Sequence, residues 1–332
     1  MGDPSGIGPE ISVKAVSDSE ILEKCNPVIV GNASVILKSL KLTGIIRRVH
    51  VLDSISEAKF DEDYINVLDL GNDNVDELEY GKVSVAAGNA AFEAVKKVID
   101  LAMKGEIDAT VTAPIHKEAI NLAGHDFAGH TEIFAKYTNT DQVAMLLVDG
   151  DFRVIHVSTH VSLRQACDLV KKERIVHVIG LLNSACKQFG IEKPHIAVCG
   201  LNPHASDGGL FGHEERDEII PAIETATEMG INVEGPFAAD TIFPKVVGGF
   251  FDGCVAMFHD QGHIPFKVKG FVWKQEENSW GKIRGVNITL GIPIIRVSVD
   301  HGTAFDIAGQ GIASHESMIH AIEYAVRMSE NK

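Results

Sequence analysis

The stretch NAAFEAVKKVIDLAMKGEIDATVT, residues 89–112, decides the fold class of this chain. Its apolar positions recur at helical spacing and are Phe92, Val95, Ile99 and Ala102. We therefore predict an amphipathic helix over 89–104 that ends at Gly105. A short apolar run over 107–112 follows at once and predicts a buried strand. A helix that leads directly into a strand is typical of α/β folds.

The same alternation extends in both directions from this stretch. Short apolar runs predict further strands at 27–30, 49–52, 65–68, 196–201, 254–258 and 294–299. Helical periodicity predicts further helices at 175–189, 214–229 and 314–328. The turn residues 149–151 separate apolar runs at 143–148 and 152–157 and predict a hairpin. The sequence therefore predicts an α/β protein with a mixed, largely parallel sheet.

Two segments depart from this alternation. The segment FVWKQEENSWGKI, residues 271–283, is polar, is charged and holds both tryptophans, so we predict an exposed loop or a mobile lid. The first ten residues, MGDPSGIGPE, read as a glycine- and proline-rich loop. Because a globular chain rarely begins with such a loop, we expect a short strand to precede Met1.

Composition narrows the class of protein. The 332 residues carry 30 Lys and Arg against 46 Asp and Glu, a net charge of -16, which argues against a general nucleic-acid binder. An anionic small substrate stays compatible, since a few local cations can dominate a cleft. We expect no membrane span and no signal peptide, and therefore a cytoplasmic protein. Five widely spaced cysteines predict reduced thiols, with Cys199 and Cys254 in the core.

Three histidines each follow a separate strand-like run: His160, His204 and His259. Ligands bind at strand ends in open α/β sheets, so these imidazoles are candidates for one metal site. A lone histidine after a strand is usually an ordinary hydrogen-bonded residue, and it is their three equivalent positions that favour a shared site. Asp260 would orient a ligand or bind directly. Nitrogen ligands suit Zn²⁺ or Co²⁺, whereas added carboxylate oxygen suits Mn²⁺ or Mg²⁺.

Candidate anion-binding groups lie elsewhere in the chain. In GHTEIF, residues 129–134, His130 and Thr131 stand where a helix begins, which is typical of an anion site or of a plain helix cap. Arg296 lies inside an apolar strand and needs an anionic partner, either a carboxylate or a substrate group. Lys117 and Lys267 are further cations near turns.

Eight motifs in chain order resemble the 4-hydroxythreonine-4-phosphate dehydrogenase (PdxA) family over nearly the whole chain. They are GDPSGIGPE at 2–10, TAPIHKEAI at 112–120, GHTE at 129–132, HVSTH at 156–160, LNPHASDGG at 201–209, HDQGHIPFK at 259–267, RGVNITLG at 284–291 and SVDHGTAFDIAG at 298–309. The last is also similar to the adenosine-binding loop of isocitrate and isopropylmalate dehydrogenases. Where those enzymes usually continue with Asn-Pro, this chain has Ser314-His315.

The resemblance implies a two-domain isocitrate/isopropylmalate dehydrogenase-like fold with a central active-site cleft. Residues 1–122 and 266–332 would form the cofactor-side domain, and residues 123–265 a central domain with metal ligands and dimer contacts. The implied activity is the NAD- or NADP-dependent and divalent-metal-dependent oxidation of 4-hydroxythreonine 4-phosphate. Decarboxylation of the β-keto acid would follow, as a step in pyridoxal phosphate biosynthesis.

The resemblance also implies residue roles in a homodimer that shares its active site. His160 and His204 of one subunit and His259 of the other would bind the metal. The implied substrate-binding residues are His130, Thr131, Asp240, Lys267, Asn287 and Arg296. The implied dinucleotide-binding residues are Gly302, Thr303 and Asp306. Lys117 and Asp260 are candidates for the catalytic base by residue type alone.

Some features resemble another branch of this family, which oxidises D-threonate or D-erythronate 4-phosphate in sugar-acid catabolism. They are His263, the LFGHEE segment at 210–215 and the SHES segment at 314–317. The segment at 271–283 is also longer than the family usually has there. Two rival functions use the same residues: a metal-dependent hydrolase or aldolase, and a non-catalytic binder of a phosphorylated metabolite.

Overall fold

The structure is a computed structural model of the chain. It describes residues 1–72, 74–75, 77–275, 279–283 and 285–332. The chain divides into two compact units: Met1–Val143 with Ile292–Ser329, and Ala144–Gly291 with Glu330–Lys332. The boundaries predicted at 122/123 and 265/266 lie earlier in the chain. The assignment of a cofactor side and a metal side stays a prediction.

The first unit is built on parallel strands. They are β1 (Val28–Gly31), β2 (Arg48–Leu52), β3 (Tyr64–Asp69), β4 (Ala109–Thr112) and β13 (Ile295–Val299). β1, β3 and β2 form a parallel sheet in that order, and β4 pairs with β13 in parallel. The helices are α1 (Gly8–Ala15), α2 (Ser19–Lys24), α3 (Ala33–Thr43), α4 (Val85–Met103), α5 (Lys117–Leu122), α6 (His130–Tyr137) and α12 (Glu316–Glu330).

The second unit holds a mixed sheet. Its strands are β5 (Ala144–Asp149), β6 (Phe152–His156), β7 (Ile196–Cys199), β8 (Val233–Phe237), β9 (Gly253–Ala256) and β12 (Val286–Leu290). Their order is β12-β5-β6-β9-β7-β8. The pairs β12–β5 and β5–β6 are antiparallel, and the remaining pairs are parallel. The helices are α7 (Leu163–Leu169), α8 (Lys172–Gln188), α9 (Ile220–Glu228), α10 (Ala239–Val247) and α11 (His259–Gly270).

The opening stretch folds as predicted, with α4 followed by β4. α4 begins four residues before the predicted start, because the Ser84 side chain caps it by accepting a hydrogen bond from the Ala87 amide. Phe92, Val95 and Ile99 are buried in one apolar cluster, and Ala102 packs against that cluster. Each predicted strand overlaps an observed one, and the hairpin around 149–151 is confirmed as β5 and β6. The α/β class with a mixed, largely parallel sheet is confirmed.

The prediction of a loop or lid over 271–283 is wrong for the described part of that segment. It forms two antiparallel strands, β10 (Phe271–Lys274) and β11 (Ser279–Ile283), with Phe271 opposite Ile283. The charged residues at its centre favoured a loop, but the aromatic and β-branched residues that flank them are good strand formers. Residues 276–278 of this segment lie outside the described residues.

Two smaller predictions concern membranes and thiols. A membrane-spanning helix is absent from the described part of the chain, where no helix is both long and apolar enough. The five cysteines are free thiols, and Cys199 and Cys254 are fully buried, as predicted for core residues.

Candidate functional site

The three strand-end histidines follow three neighbouring parallel strands of the second unit. β6 pairs with β9, and β9 pairs with β7, all in parallel. Carboxyl ends of parallel strands point to the same edge of a sheet. The segments that carry His160, His259 and His204 therefore leave the sheet at one edge.

Two of these histidines approach each other within one chain. The ring centroids of His160 and His259 lie 5.9 Å apart. His259 Nδ1 lies 2.7 Å from Asp260 Oδ1, so the carboxylate can hold the ring and leave Nε2 available. An imidazole whose other nitrogen is held by a carboxylate is the usual arrangement of a metal-binding histidine.

Two further histidines extend this pair into a four-imidazole cluster, which sequence reasoning missed. His263 stacks on His259 with ring centroids 3.7 Å apart, and His156 lies 4.7 Å from His263. The spacing of four between residues 259 and 263 was a usable signal, because such residues share a helix face. α11 approaches β6 closely because Gly262 has no side chain. A Cβ atom there would come within 3.0 Å of His156 and Val154.

The inner histidines of the cluster are held neutral. Burial, followed by the charge of His263, lowers the pKa of His156 to about 3. Burial, followed by the charge of His259, lowers the pKa of His263 to about 4. His156 Nδ1 lies 3.2 Å from the Met145 carbonyl oxygen, which can only accept. The proton of neutral His156 is therefore on Nδ1, and Nε2 carries a lone pair.

This burial predicts a specific loss of stability in acid. Unfolded His156 binds a proton below its ordinary pKa of 6.5, whereas folded His156 stays neutral to about pH 3. The free energy of unfolding of the metal-free protein should therefore fall as pH drops from about 6.5 to about 3. The full contribution is on the order of 5 kcal/mol.

Urea unfolding across this pH range, with a chelator present, would measure the loss. His156→Gln keeps a donor for the Met145 carbonyl oxygen and removes the titrating group, so its stability should depend less on pH. Identical slopes for the two proteins would contradict the prediction.

His204 is placed differently from the other two. It is exposed, and its ring centroid lies 6.4 Å from that of Phe211. No three His, Cys, Asp or Glu side chains of the described ranges are grouped to hold a metal ion. The imidazole nitrogens of His160 and of His259, which Asp260 holds, are chemically suited to bind a divalent ion. Their assignment together with His204 as metal ligands stays a prediction.

The other predicted residues of this unit lie on three elements. Asp240 is exposed in the first turn of α10. Lys267 lies on α11 with its Nζ 4.2 Å from the centre of the Phe271 ring. Asn287 lies on β12, and within the described residues its buried Oδ1 finds no hydrogen-bond donor. A buried acceptor without a donor is costly, which is consistent with a ligand contact there.

The first unit carries a separate polar group around Arg296 on β13. Arg296 is 2% exposed, and its Nη2 donates to Thr112 Oγ1 over 2.9 Å. Burial lowers the pKa of Arg296 to about 9, and the Glu132 charge opposes that shift. The sequence left open a carboxylate or a substrate group as the anionic partner of Arg296. The structure supplies the carboxylate of Glu132. Sequence reasoning did not single out Glu132, although it stands in the GHTE motif.

His130 and Thr131 are the first residues of α6, and His130 lies close enough to Arg296 to be affected by its charge. The N-cap is Gly129, so the helix has no side-chain cap. Burial, and then the charge of Arg296, hold the pKa of His130 well below its ordinary value. The buried His130 Nε2 has no hydrogen-bond partner among the described residues. Uncapped helix amides beside an arginine and a neutral imidazole are suited to an anion.

The predicted dinucleotide residues follow β13 in the same unit. Gly302 and Asp306 are exposed, and Thr303 is buried against the loop of the first residues. The Ile7 amide donates to the Thr303 carbonyl oxygen over 3.0 Å. Sequence reasoning missed Asp3 in that loop. Asp3 is fully buried, and burial raises the pKa of its carboxyl.

Lys117 is exposed at the first position of α5. The preceding His116 caps that helix, and its ring stacks on Phe305 with centroids 4.7 Å apart. The predicted residues thus divide between the two units. Those of the second unit are His160, His204, Asp240, His259, Asp260, Lys267 and Asn287, and the remainder lie in the first. The catalytic, substrate and cofactor roles of these residues stay predictions.

Comparison with known proteins places the chain among dehydrogenases. Residues 23–325 match the family model described as pyridoxal phosphate biosynthetic protein PdxA. A protein of Oceanobacillus iheyensis named "Putative D-threonate 4-phosphate dehydrogenase" is 44% identical, covering 100% of this chain and 97% of that protein.

Solved structures give the same result. A 4-hydroxythreonine-4-phosphate dehydrogenase from Klebsiella pneumoniae matches with a TM-score of 0.85 and 42% identity, over 99% of this chain and 98% of that one. The enzyme of that name from Burkholderia phymatum matches with a TM-score of 0.83 and 40% identity, over 99% of this chain and 96% of that one.

Proposed function

This chain belongs to the PdxA family of pyridoxal phosphate biosynthetic proteins, and on that premise we propose that it oxidises a 4-phosphorylated hydroxy acid with NAD or NADP. The first candidate substrate is 4-hydroxythreonine 4-phosphate. The observation that carries the proposal is that His160, His204 and His259 leave the sheet at one edge, with His259 held by Asp260, in a chain similar along nearly its whole length to dehydrogenases.

The reaction removes a proton and a hydride from a secondary alcohol, and the resulting β-keto acid then loses CO₂. When bound, a divalent ion lowers the pKa of the alcohol and the dinucleotide accepts the hydride. His160, His204 and His259 are the residues that would hold the ion, which we expect to be Zn²⁺, Co²⁺, Mn²⁺ or Mg²⁺. Asp260 orients His259 through the 2.7 Å contact.

The proton of the alcohol needs an acceptor among the side chains of this chain. Asp260 Oδ1 is already engaged with His259 Nδ1, so we assign Asp260 to orientation of the ring. Lys117 is exposed, and its amine has the right type for a base once deprotonated. We therefore retain Lys117 as the candidate base.

The phosphate of the substrate needs cations and donors. Arg296, His130 and Thr131 supply a buried guanidinium and the start of a helix in the first unit. We propose that they bind an anionic group of the substrate through charge-assisted hydrogen bonds. Lys267, Asn287 and Asp240 are further residues that we propose for the substrate, and Gly302, Thr303 and Asp306 those that we propose for the dinucleotide.

Lys267→Ala should raise the Michaelis constant for the phosphorylated substrate about tenfold to a hundredfold, because one charged contact is lost. The dephosphorylated analogue should be affected much less. Steady-state kinetics with both compounds would measure the difference. Lys269→Ala is the matched control, since Lys269 lies on the same helix and pairs with Asp149. Equal effects of Lys267→Ala on both compounds would remove this lysine from the phosphate site.

We further propose that the protein is a cytoplasmic homodimer. α11 leaves Ile264 and Val268 exposed by 60% and 76%, and Val272 of β10 is exposed by 56%. This row of apolar side chains begins within the helix that carries His259. A second copy of the chain would bury it, in keeping with an active site shared between subunits.

D-threonate 4-phosphate is the second candidate substrate. Relatives bearing that name, marked as putative, are 42–44% identical to this chain over nearly its full length. His263, which stacks on His259, is also one of the sequence features that resemble the branch of the family acting on D-threonate or D-erythronate 4-phosphate. The two substrates differ by an amino group against a hydroxyl, so a few contacts decide between them.

The deciding experiment is an NAD and NADP reduction assay. It would compare 4-hydroxythreonine 4-phosphate with D-threonate and D-erythronate 4-phosphates, with and without a chelator. We expect chelator-sensitive formation of NADH or NADPH with one of them. If none of them reduces the dinucleotide, the proposal fails. Metal-dependent cleavage would then favour a hydrolase or aldolase, and tight binding without turnover a metabolite-binding protein.

A further inference from the structure

The segment that carries His204 has an uncommon backbone. Four consecutive residues other than glycine, His204 to Asp207, have positive φ angles of 53°, 53°, 69° and 48°. Such angles bring Cβ close to the following carbonyl oxygen and are unfavourable for L-residues. A run of four persists only when surrounding contacts enforce it.

Those contacts come from two adjacent glutamates at the start of the following helical segment. Glu215 is 1% exposed, and its Oε1 accepts from the backbone amides of Leu201 and Asn202 over 2.8 and 2.7 Å. The Asn202 side-chain amide donates to Glu215 Oε2 over 2.8 Å and to Glu214 Oε2 over 2.7 Å. We call Asn202, Glu214 and Glu215 the carboxylate clip.

The clip closes the loop at both ends of the strained run. On one side of the run, the amides of Leu201 and Asn202 donate to the clip. On the other side, the clip's glutamates begin ten residues after His204. The loop also packs without spare room, because a Cβ on Gly200 would lie 2.9 Å from Ala205 Cα. Ser206 is 5% exposed and accepts from the amides of Gly209 and Phe211. The loop therefore has few ways to adjust while the clip is closed.

We propose that Glu215 is a positioning residue, whose carboxylate holds the left-handed run and thereby places His204 for metal binding. This inference rests on the proposed function, in which His204 is a metal ligand. Glu215 accepts three hydrogen bonds while buried, so it does not itself reach a ligand. Without the carboxylate, the run can relax toward ordinary backbone angles, and the His204 ring would move.

The test measures metal affinity of the full-length protein, by competition between the protein and a chromophoric chelator for Zn²⁺ or Co²⁺. Glu215→Gln replaces Oε2 with an amide that cannot accept from Asn202, and should weaken affinity about tenfold to a hundredfold. Glu224→Gln, on the exposed face of α9, is the matched control and should leave affinity unchanged. The absorption spectrum of bound Co²⁺ should change in Glu215→Gln, because one ligand is displaced.

A second experiment relieves the strain of the positive φ angles in the loop. Ala205→Gly should restore part of the affinity to Glu215→Gln, since glycine adopts positive φ at little cost. If Glu215→Gln does not fold, as judged by urea unfolding of the metal-free proteins, Asn202→Ala opens the clip from its other side. Asn202→Ala should also weaken metal affinity, by a smaller factor than Glu215→Gln.

The outcomes separate the two proposals. If His204→Ala leaves metal affinity unchanged, the proposed metal site fails. If His204→Ala weakens binding but Glu215→Gln and Asn202→Ala do not, His204 is a ligand and the positioning role of Glu215 is overturned.

Discussion

Replacing His259 by alanine is expected to lower turnover at least about a thousandfold and to remove the bound divalent ion. That loss corresponds to about 4 kcal/mol of barrier. His259 is a proposed metal ligand whose ring is held by Asp260, so its removal takes away an imidazole that is already oriented for binding. Its side chain is 38% exposed at the start of α11, and the chain should still fold. Turnover by NADH formation and metal content of the purified protein would be measured.

Asp260→Asn is the graded companion to this variant. The amide keeps an oxygen toward His259 Nδ1 but loses the charge, so metal affinity should weaken about tenfold to a hundredfold. Full turnover by metal-free His259→Ala protein would refute the metal assignment. Complete inactivity of Asp260→Asn with normal metal content would instead make Asp260 the base.

Replacing Arg296 by methionine should cost about 3 kcal/mol of unfolding free energy, because the charge of Glu132 loses its counter-charge. The pKa of Arg296 already reflects both burial and that carboxylate. Urea unfolding of Arg296→Met and Glu132→Gln, alone and combined, would measure the coupling. We expect the double variant to be more stable than the sum of the single losses predicts.

The same double variant decides between the two partners that the sequence left open for Arg296. If Arg296 binds the substrate, the stable double variant should still show a Michaelis constant at least about a hundredfold higher for the phosphorylated substrate. An unchanged Michaelis constant would make Arg296 purely a structural partner of Glu132.

Local patterns were predictable where one physical rule dominated. The helical spacing of Phe92, Val95 and Ile99 required a buried face, and the structure buries all three. The charged centre of the segment at 271–283 hid two short strands. In that segment, pairing between the described strands outweighed the polarity of the sequence between them.

The candidate site was predictable only in its parts. Strand-end position singled out His160, His204 and His259, and an apolar setting singled out Arg296. His156, Glu132 and Glu215 stand in the HVSTH, GHTE and LFGHEE segments, but no local pattern assigns a role to any of them. Their importance comes from contacts with other segments of the chain, which lie 13 to 14 positions away for Glu215 and more than a hundred positions away for His156 and Glu132.

The sequence by itself determined the α/β class, the buried thiols and the motifs of the family, since each depends on residues close together in the chain. Only the tertiary structure decided that His156, His160, His259 and His263 form one cluster. That cluster requires β6 and β9 to pair in parallel and α11 to pack against β6 at Gly262. Such contacts join residues about a hundred positions apart, and periodicity along the chain carries no record of them.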